Sequence, residues 1–174
     1  MTSLRMAPLL AQLDTSLEMS LGRMDGTTDD EFWWLAEPDA CTLVRDERGR
    51  LTITAPPDET PRTRTIALLL GHLGDMAILR TDYTTGSHRL TGDDVTLPDN
   101  AADAITFVRD SWAGWRAALS SLEDAELDVV GRSAFPWGLD PTLPILDIAW
   151  WMNRELIHHM AEAAFLRDLY ARRH

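Results

Sequence analysis

The chain has 174 residues, a length that suits one domain of ordinary size, and its 45% apolar content is that of a globular protein. Its formal net charge of −12 argues against a nucleic-acid binder or an anionic-membrane binder, because a polyanion repels phosphate.

Neither a signal peptide nor a transmembrane helix is expected. The apolar run near the N-terminus is short and is interrupted by Gln12 and Asp14, so it is interpreted as part of a first helix. A membrane span would need about 18 consecutive apolar residues, which the sequence lacks. Cys41 is the single cysteine, so no internal disulfide is expected, and a reducing cytoplasm is the favoured location.

Four segments have the periodicity of amphipathic helices. They run from about Ser3 to Met24, Arg62 to Tyr83, Ala101 to Leu122 and Leu143 to Arg172. Within each segment the apolar residues recur at steps of three and four, which turns one face toward neighbouring helices. The sequence therefore predicts an all-α fold, a four-helix bundle, formed as a single domain by residues 1–174.

The connections between these helices are long. Thr84 to Asn100 separates the second helix from the third, whereas a tight helix–helix turn needs only about two to five residues. Such a segment can run the length of a helix, so the second and third helices are predicted to be parallel and joined by a crossover.

The connection between the first and second helices carries two local signals and is a candidate lid. Thr28 followed by Glu31 has the spacing of a capping box and predicts a short helix over Thr28–Leu35. Cys41–Ile53 alternates weakly around a central Arg-Gly pair, which predicts a small hairpin. The connection before the last helix contains residues expected to cover one end of the bundle: Phe135, Pro136, Trp137 and Pro141.

Four polar residues interrupt the apolar stripes, and they carry the functional prediction. His72 lies in the stripe of the second helix, and Glu155, His159 and Glu162 lie in the stripe of the last. Buried carboxylates without partners are costly, so these residues need a common explanation. A divalent metal held by His72, Glu155 and His159 supplies one, and three protein ligands leave a coordination position for water or substrate.

Other interpretations of these residues stay open. His72 alone could be a hydrogen-bonded core residue, and Glu155 with His159 could form a salt bridge. His158 is also on a face shared with Glu155, and Glu162 could act as a fourth ligand of a structural site. A di-iron site is rejected because the other helices lack the glutamates that it needs. Motifs for zinc hydrolases, phosphate loops and dinucleotide binding are absent.

Three segments resemble the DinB-like superfamily. Leu68–Asp75 (LLLGHLGD) resembles its second helix, with a single histidine for a metal. Ile148–Glu162 (IAWWMNRELIHHMAE) and Phe165–Tyr170 (FLRDLY) resemble its last helix. The resemblance extends over most of the chain and implies an up-down-down-up bundle, in agreement with the long crossover.

The resemblance also implies a site and a chemistry. The family's histidine on the second helix corresponds to His72, and the pair on the last helix corresponds to Glu155 and His159. Glutamate at this position is similar to the branch of mycothiol-dependent maleylpyruvate isomerases and mycothiol transferases. All 16 basic residues are arginine, which suits a GC-rich actinobacterial source, where mycothiol is the cellular thiol. Zinc is the expected metal, with nickel as the alternative.

Two functions of different classes follow. The first is a metal-dependent thiol S-transferase or isomerase in which the metal activates a low-molecular-weight thiol, expected to be mycothiol, for attack on a small electrophile. Asp75, Arg154 and an apolar pocket beside Met76 and Met152 would assist. The second is a non-catalytic metal-binding or stress-response bundle that acts through a homodimer or partner surface. The large apolar groups for such a surface are Phe32, Trp33, Trp34, Trp150 and Trp151.

Overall fold

The computed structural model describes residues 3–53, 62–132 and 142–173, and within them the fold is a helical bundle. This confirms the predicted all-α class. The elements are α1 (Ala7–Met24), α2 (Asp29–Phe32), β1 (Val44–Arg45), β2 (Leu51–Thr52), α3 (Ile66–Thr85), α4 (Ala101–Ser121) and α5 (Ile145–Tyr170).

The four long helices are the four that periodicity predicts, with shifted ends. Helix α1 begins at Ala7 rather than Ser3, and α3 begins at Ile66 rather than Arg62. The start of α3 has a local cause, because the Thr65 hydroxyl accepts a hydrogen bond from the Leu68 amide at 3.1 Å and caps the first turn.

Each long helix packs against two others. Helix α3 lies against α4 and α5, and α1 also lies against α4 and α5, so the four surround one apolar core. Helix α3 is buried over most of its circumference from Ile66 to Arg80. It therefore presents different side chains to α4 and to α5. The up-down-down-up direction of the helices and the single-domain extent over residues 1–174 stay predictions.

The seam between α3 and α4 is close and mainly apolar. Gly74 has no side chain, and a Cβ there would lie 2.1 Å from the Phe107 ring, so the two helices approach closely because the position is glycine. The indole nitrogen of buried Trp112 donates to the Leu73 carbonyl at 3.0 Å. The seam therefore depends on shape and fixes α4 along α3.

The long connection before α3 forms two of the predicted features. Thr28 caps α2, accepting a hydrogen bond from the Glu31 amide at 3.3 Å. The second half of the predicted capping box is replaced, because the Glu31 carboxylate accepts a hydrogen bond from Arg167 on α5 at 2.7 Å instead. The hairpin is confirmed as an antiparallel pair, β1 with β2, and the turn uses Gly49 at a φ of 78°.

The crossover from α3 to α4 is organised around one buried carboxylate. Asp82, near the end of α3, accepts hydrogen bonds from the backbone amides of Ser87, Arg89 and Leu90. Burial raises the pKa of Asp82, but these hydrogen bonds outweigh it and lower the pKa to about 2. The charged carboxylate therefore fixes the direction in which the crossover leaves α3.

Several expectations have a mixed outcome. In the described parts of the chain, no helix is both long and apolar enough to cross a bilayer. The residues expected to cover one end of the bundle lie outside the described residues: Phe135, Pro136, Trp137 and Pro141. Among the candidate surface aromatics, Phe32 is fully buried and Trp150 is 56% exposed. The others, Trp33, Trp34 and Trp151, are half-buried.

Candidate metal centre

The structure brings together the three residues that the sequence analysis singled out. His72 projects from α3, and Glu155 and His159 project from successive turns of α5. One ligand atom from each residue lies within 4.8 Å of the ligand atoms of the other two. His72 and Glu155 are half-buried, and His159 is buried with 6% of its surface exposed.

The distance between Glu155 and His159 suits a shared metal ion. Glu155 Oε2 lies 3.2 Å from His159 Nε2. Two ligands bonded at about 2.1 Å in a tetrahedral site are roughly 3.4 Å apart, so this pair is already close to the separation required. The 4.8 Å limit on the remaining distances means that a small inward movement would complete the set.

His72 is held in the state that a metal ligand needs. Its ring meets the ring of His159 edge to face, with 5.1 Å between centroids. Burial, and to a smaller extent the neighbouring His159 and Arg64, lower the pKa of His72 to about 4, although Glu155 acts in the opposite direction. The imidazole is therefore neutral at physiological pH and keeps a lone pair for a cation.

Glu162 lies on the far side of His159. Its Oε2 is 3.8 Å from His159 Nδ1, the ring nitrogen that does not face Glu155. Arg64 binds the same carboxylate through two contacts, Nε to Oε1 at 2.9 Å and a terminal guanidinium nitrogen to Oε2 at 2.6 Å. Burial raises the pKa of Glu162, but His159 and Arg64 together lower it below its ordinary value.

This arrangement assigns different tasks to the two glutamates of α5. A carboxylate beside the second nitrogen of a histidine fixes the ring's tautomer and orientation and makes the first nitrogen a better ligand. Glu162 lies 3.8 Å from Nδ1 of His159, which has no hydrogen-bond partner among the described residues, so a small movement of the carboxylate that Arg64 binds would bring it into that task. Glu162 is thus located to orient a ligand, whereas the sequence analysis considered it as a fourth ligand.

His158 is the main competitor of the predicted set. It is exposed, and its ring is 5.0 Å from that of His159. His158, His159 and Glu162 form a second group with ligand atoms within 4.8 Å of one another. The first group is better shielded from water, and Arg64 already neutralises Glu162 in the second. The geometry therefore favours His72, Glu155 and His159.

The auxiliary residues of the sequence analysis have separate outcomes. Arg154 donates to Glu155 Oε1 at 2.5 Å and is an exposed neighbour of the site. Asp75, one turn after His72, instead lines a separate cavity on α3. Met76 and Met152 are fully buried, so they do not form the wall of the open pocket that was predicted beside them.

Arg64 is the site residue that the sequence analysis missed. It lies just before α3, where the backbone pairs with Cys41 at the start of the hairpin segment. An arginine in a connecting segment has no periodicity to single it out. The available signal was the half-buried charge of Glu162, which favoured a cation from some other part of the chain.

Comparison with known proteins shows the family of the chain. A family model described as the DinB superfamily matches residues 12–163. The chain belongs to the DinB superfamily. No curated protein and no solved structure matches this DinB-superfamily chain. Family membership therefore rests on the family match, and it covers α3 and the part of α5 that carries His72, Glu155 and His159.

Proposed function

We propose that the protein is a metal-dependent thiol S-transferase or isomerase of the DinB superfamily. In this proposal His72, Glu155 and His159 hold a divalent ion, zinc first and nickel as the alternative. The substrates are a low-molecular-weight thiol and a small electrophile, and the protein works in the cytoplasm, where such thiols stay reduced. The observation that carries the proposal is the convergence of these three side chains from two helices.

The donor set fits a catalytic ion better than a structural one. Structural zinc sites are usually closed by four protein ligands, whereas catalytic sites use three and leave one position open. The converging group contains three, and Glu162 is directed to the other nitrogen of His159 and bound to Arg64. A divalent ion in such a site lowers the pKa of a bound thiol, so that the sulfur is ionised near neutral pH.

The chain's own residues have distinct roles in this proposal. His72 is neutral because it is buried, so binding a cation displaces no proton from it. Glu155 supplies the negative charge of the ligand set, and its second oxygen is held by Arg154. Arg64 holds the Glu162 carboxylate 3.8 Å from His159 Nδ1, from where it would accept a hydrogen bond from that nitrogen once the ring binds the ion. The bundle wall keeps water away from His159, which strengthens each of these interactions.

Mycothiol is the first thiol to test. The resemblance of Ile148–Glu162 to the mycothiol-dependent branch depends on glutamate at position 155. The exclusive use of arginine as the basic residue supports the same source of thiol. Neither argument selects the electrophile, so a panel of maleyl, epoxide and halide compounds is the appropriate substrate set.

The test separates metal binding from thiol chemistry. Protein purified without a histidine tag is loaded with cobalt and titrated with mycothiol, and a sulfur-to-cobalt charge-transfer band reports direct coordination of the thiol. Thiol consumption, which reports transfer, and isomerisation of the electrophiles, which leaves the thiol unconsumed, are then measured for the zinc form and for His72→Ala. We expect the band and turnover in the wild type and neither in the variant. Equal turnover in His72→Ala would refute the proposal.

A second candidate function is favoured by one surface of α5. Trp150, Ile157 and Phe165 are 56%, 41% and 60% exposed and recur at steps of seven and eight, which places them on one face of the helix. Such a face suits a homodimer or partner interface of a non-catalytic metal-binding or stress-response bundle. Metal binding with no thiol coordination, together with a dimer broken by Phe165→Asp in sedimentation, would favour this function.

A further inference from the structure

Asp75 is a buried carboxylate that the proposed metal centre does not use. Only 6% of its surface is exposed, and among the described residues its carboxylate has no hydrogen bond and no ion pair. All 16 arginines of the chain lie within the described residues, so none outside them could neutralise it. An ionised carboxylate in this position lacks the cation that would offset the loss of its hydration.

Asp75 lines a cavity of about 470 Å³ between α3, the hairpin and the crossover. This volume is within the range of small-molecule sites. Leu51 of β2, Leu79 of α3 and Leu97 of the crossover contribute apolar walls. The cavity thus combines an apolar enclosure with one buried charge, the combination that selects an amphipathic organic ion.

The remaining polar groups favour a ligand that donates hydrogen bonds. Thr52 and Thr91 also line the cavity. The Thr52 hydroxyl donates its proton to the Val44 carbonyl at 3.2 Å, and the Thr91 hydroxyl donates to a carboxylate oxygen of Asp94 at 2.9 Å. Each hydroxyl therefore has only lone pairs left for a ligand. An ammonium group, with three donors and no acceptor, is complementary to these groups.

The charge around the cavity also favours a cationic ligand. Asp93 lies at the rim with its side chain 82% exposed, and Arg50 approaches it at 3.4 Å. Arg50 is also bound to Asp46 at 2.9 Å, so its charge is already compensated. The excess charge at the cavity is negative, as it is for the whole chain, and both attract cations.

We propose that this cavity binds the ammonium group of a small organic amine, with the Asp75 carboxylate as its counter-ion. The aliphatic part of the amine packs against Leu51, Leu79 and Leu97. A hydrated inorganic cation fits less well, because calcium and magnesium prefer several oxygen ligands and gain nothing from apolar walls. The inference is independent of the thiol chemistry, since none of the proposed metal ligands lines the cavity.

The first experiment uses the unaltered protein. Amide spectra of isotope-labelled protein are recorded during titration with n-butylammonium chloride and, separately, with n-butanol, the neutral analogue of similar size. We expect saturable shifts from the amine at residues around Asp75, among them Thr52, Thr91 and Gly92, and at least about tenfold weaker binding of the alcohol. Equal binding of the two compounds, no binding, or shifts confined to other surfaces would overturn the proposal.

Variants then test the counter-ion. Asp75→Asn keeps the shape of the side chain and removes its charge, and Asp110→Asn makes the same charge change on the exposed surface of α4. We expect Asp75→Asn to lose at least about tenfold in butylammonium affinity and Asp110→Asn to change it by less than about twofold. Equal losses of affinity in both variants would mean that the amine is attracted by the overall negative charge and not bound at Asp75, which would refute the site.

Two further outcomes are decisive. If sodium or magnesium chloride displaced the amine far more effectively than tetramethylammonium chloride at the same ionic strength, the cavity would be an inorganic cation site and the proposal would fail.

Should Asp75→Asn not fold, Ile53→Trp at the exposed cavity wall offers an independent test. Bulk at that position is expected to weaken butylammonium binding while leaving Asp75 in place, and undiminished binding would count against the cavity.

Discussion

His72, which is half-buried, and Asp75, which is buried, lie three residues apart on α3 and have opposite surroundings. His72 faces α5 and meets Glu155 and His159, which can share a cation with it. Asp75 faces the hairpin and the crossover, and no described residue forms an ion pair or hydrogen bond with its carboxylate. The pKa of His72 is lowered to about 4 and that of Asp75 is raised to about 6, in each case chiefly by burial.

This difference shows why burial alone does not define a site. Burial disfavours the charged form of both residues, yet only His72 has neighbours that could join it around a single ion. The residues that surround each side chain, rather than its position in a stripe, therefore separate a candidate metal ligand from a candidate counter-ion. The predictions below test that distinction.

The largest expected effect is on Asp75. Its pKa is raised from 3.8 to about 6, so the folded state holds the proton more tightly than the unfolded state, and the free energy of unfolding falls as pH rises from about 4 to about 6. Asp75→Asn has no titratable group at this position, so its free energy of unfolding does not fall for this reason as pH rises. We expect it to be more stable than the wild type by roughly 3 kcal/mol near pH 8 and equal to it below about pH 4.

Urea unfolding at several pH values, without added amine, measures this effect. Asp110→Asn provides the matched control and should follow the wild type at every pH. The quantity to compare is the difference in the free energy of unfolding between Asp75→Asn and the wild type. If this difference were the same at high and at low pH, Asp75 would not be an uncompensated buried charge.

The next effect concerns the residue behind His159. Glu162→Gln keeps the shape of the side chain and loses the charge that pairs with Arg64 and faces His159 Nδ1. Loss of such an orienting carboxylate typically weakens metal binding by about 10- to 100-fold. Competition with a chromogenic zinc chelator gives the affinity, and Glu18→Gln on the exposed side of α1 is the control. An affinity within about twofold of the wild type would remove Glu162 from the site.

Gly74 lies between His72 and Asp75 and fixes α3 against α4. Gly74→Ala introduces a Cβ that would lie 2.1 Å from the Phe107 ring, so the ring or the helix must move. We expect a loss of about 1 to 3 kcal/mol in the free energy of unfolding, the usual cost of overpacking. Gly114→Ala on α4 meets no atom within 4 Å and is expected to stabilise the protein by about 0.5 to 1 kcal/mol. A neutral Gly74→Ala would contradict the close approach of the helices.

The smallest effect is expected at Arg154. Its side chain is exposed and donates to the Glu155 oxygen that does not face His159. Exposed ion pairs contribute little, so Arg154→Ala should change zinc affinity by less than about threefold. Chelator competition, carried out on Arg154→Ala and Glu162→Gln under the same conditions, shows which of the two residues contributes more to zinc affinity. A larger loss in Arg154→Ala than in Glu162→Gln would reverse the order of importance assigned to them.

The sequence predicted the elements and the converging residues because both depend on local spacing. Periodicity located four long helices, and the polar interruptions in two stripes identified His72, Glu155 and His159. It could not predict Arg64 at Glu162, because that pairing joins a connecting segment to a helix 98 residues further along the chain. The cavity at Asp75 was missed for a similar reason, since its walls come from the hairpin and the crossover.

Elemental analysis of the purified protein is the sharpest test of the metal centre formed by His72, Glu155 and His159. Wild type, His72→Ala and His158→Ala are prepared without a histidine tag or chelator, and bound metal is measured per chain. We expect about one zinc or other divalent ion per chain in the wild type and in His158→Ala, and almost none in His72→Ala. A wild type without metal after incubation with zinc or nickel, or a variant pattern in which His158 rather than His72 is required, would contradict this expectation.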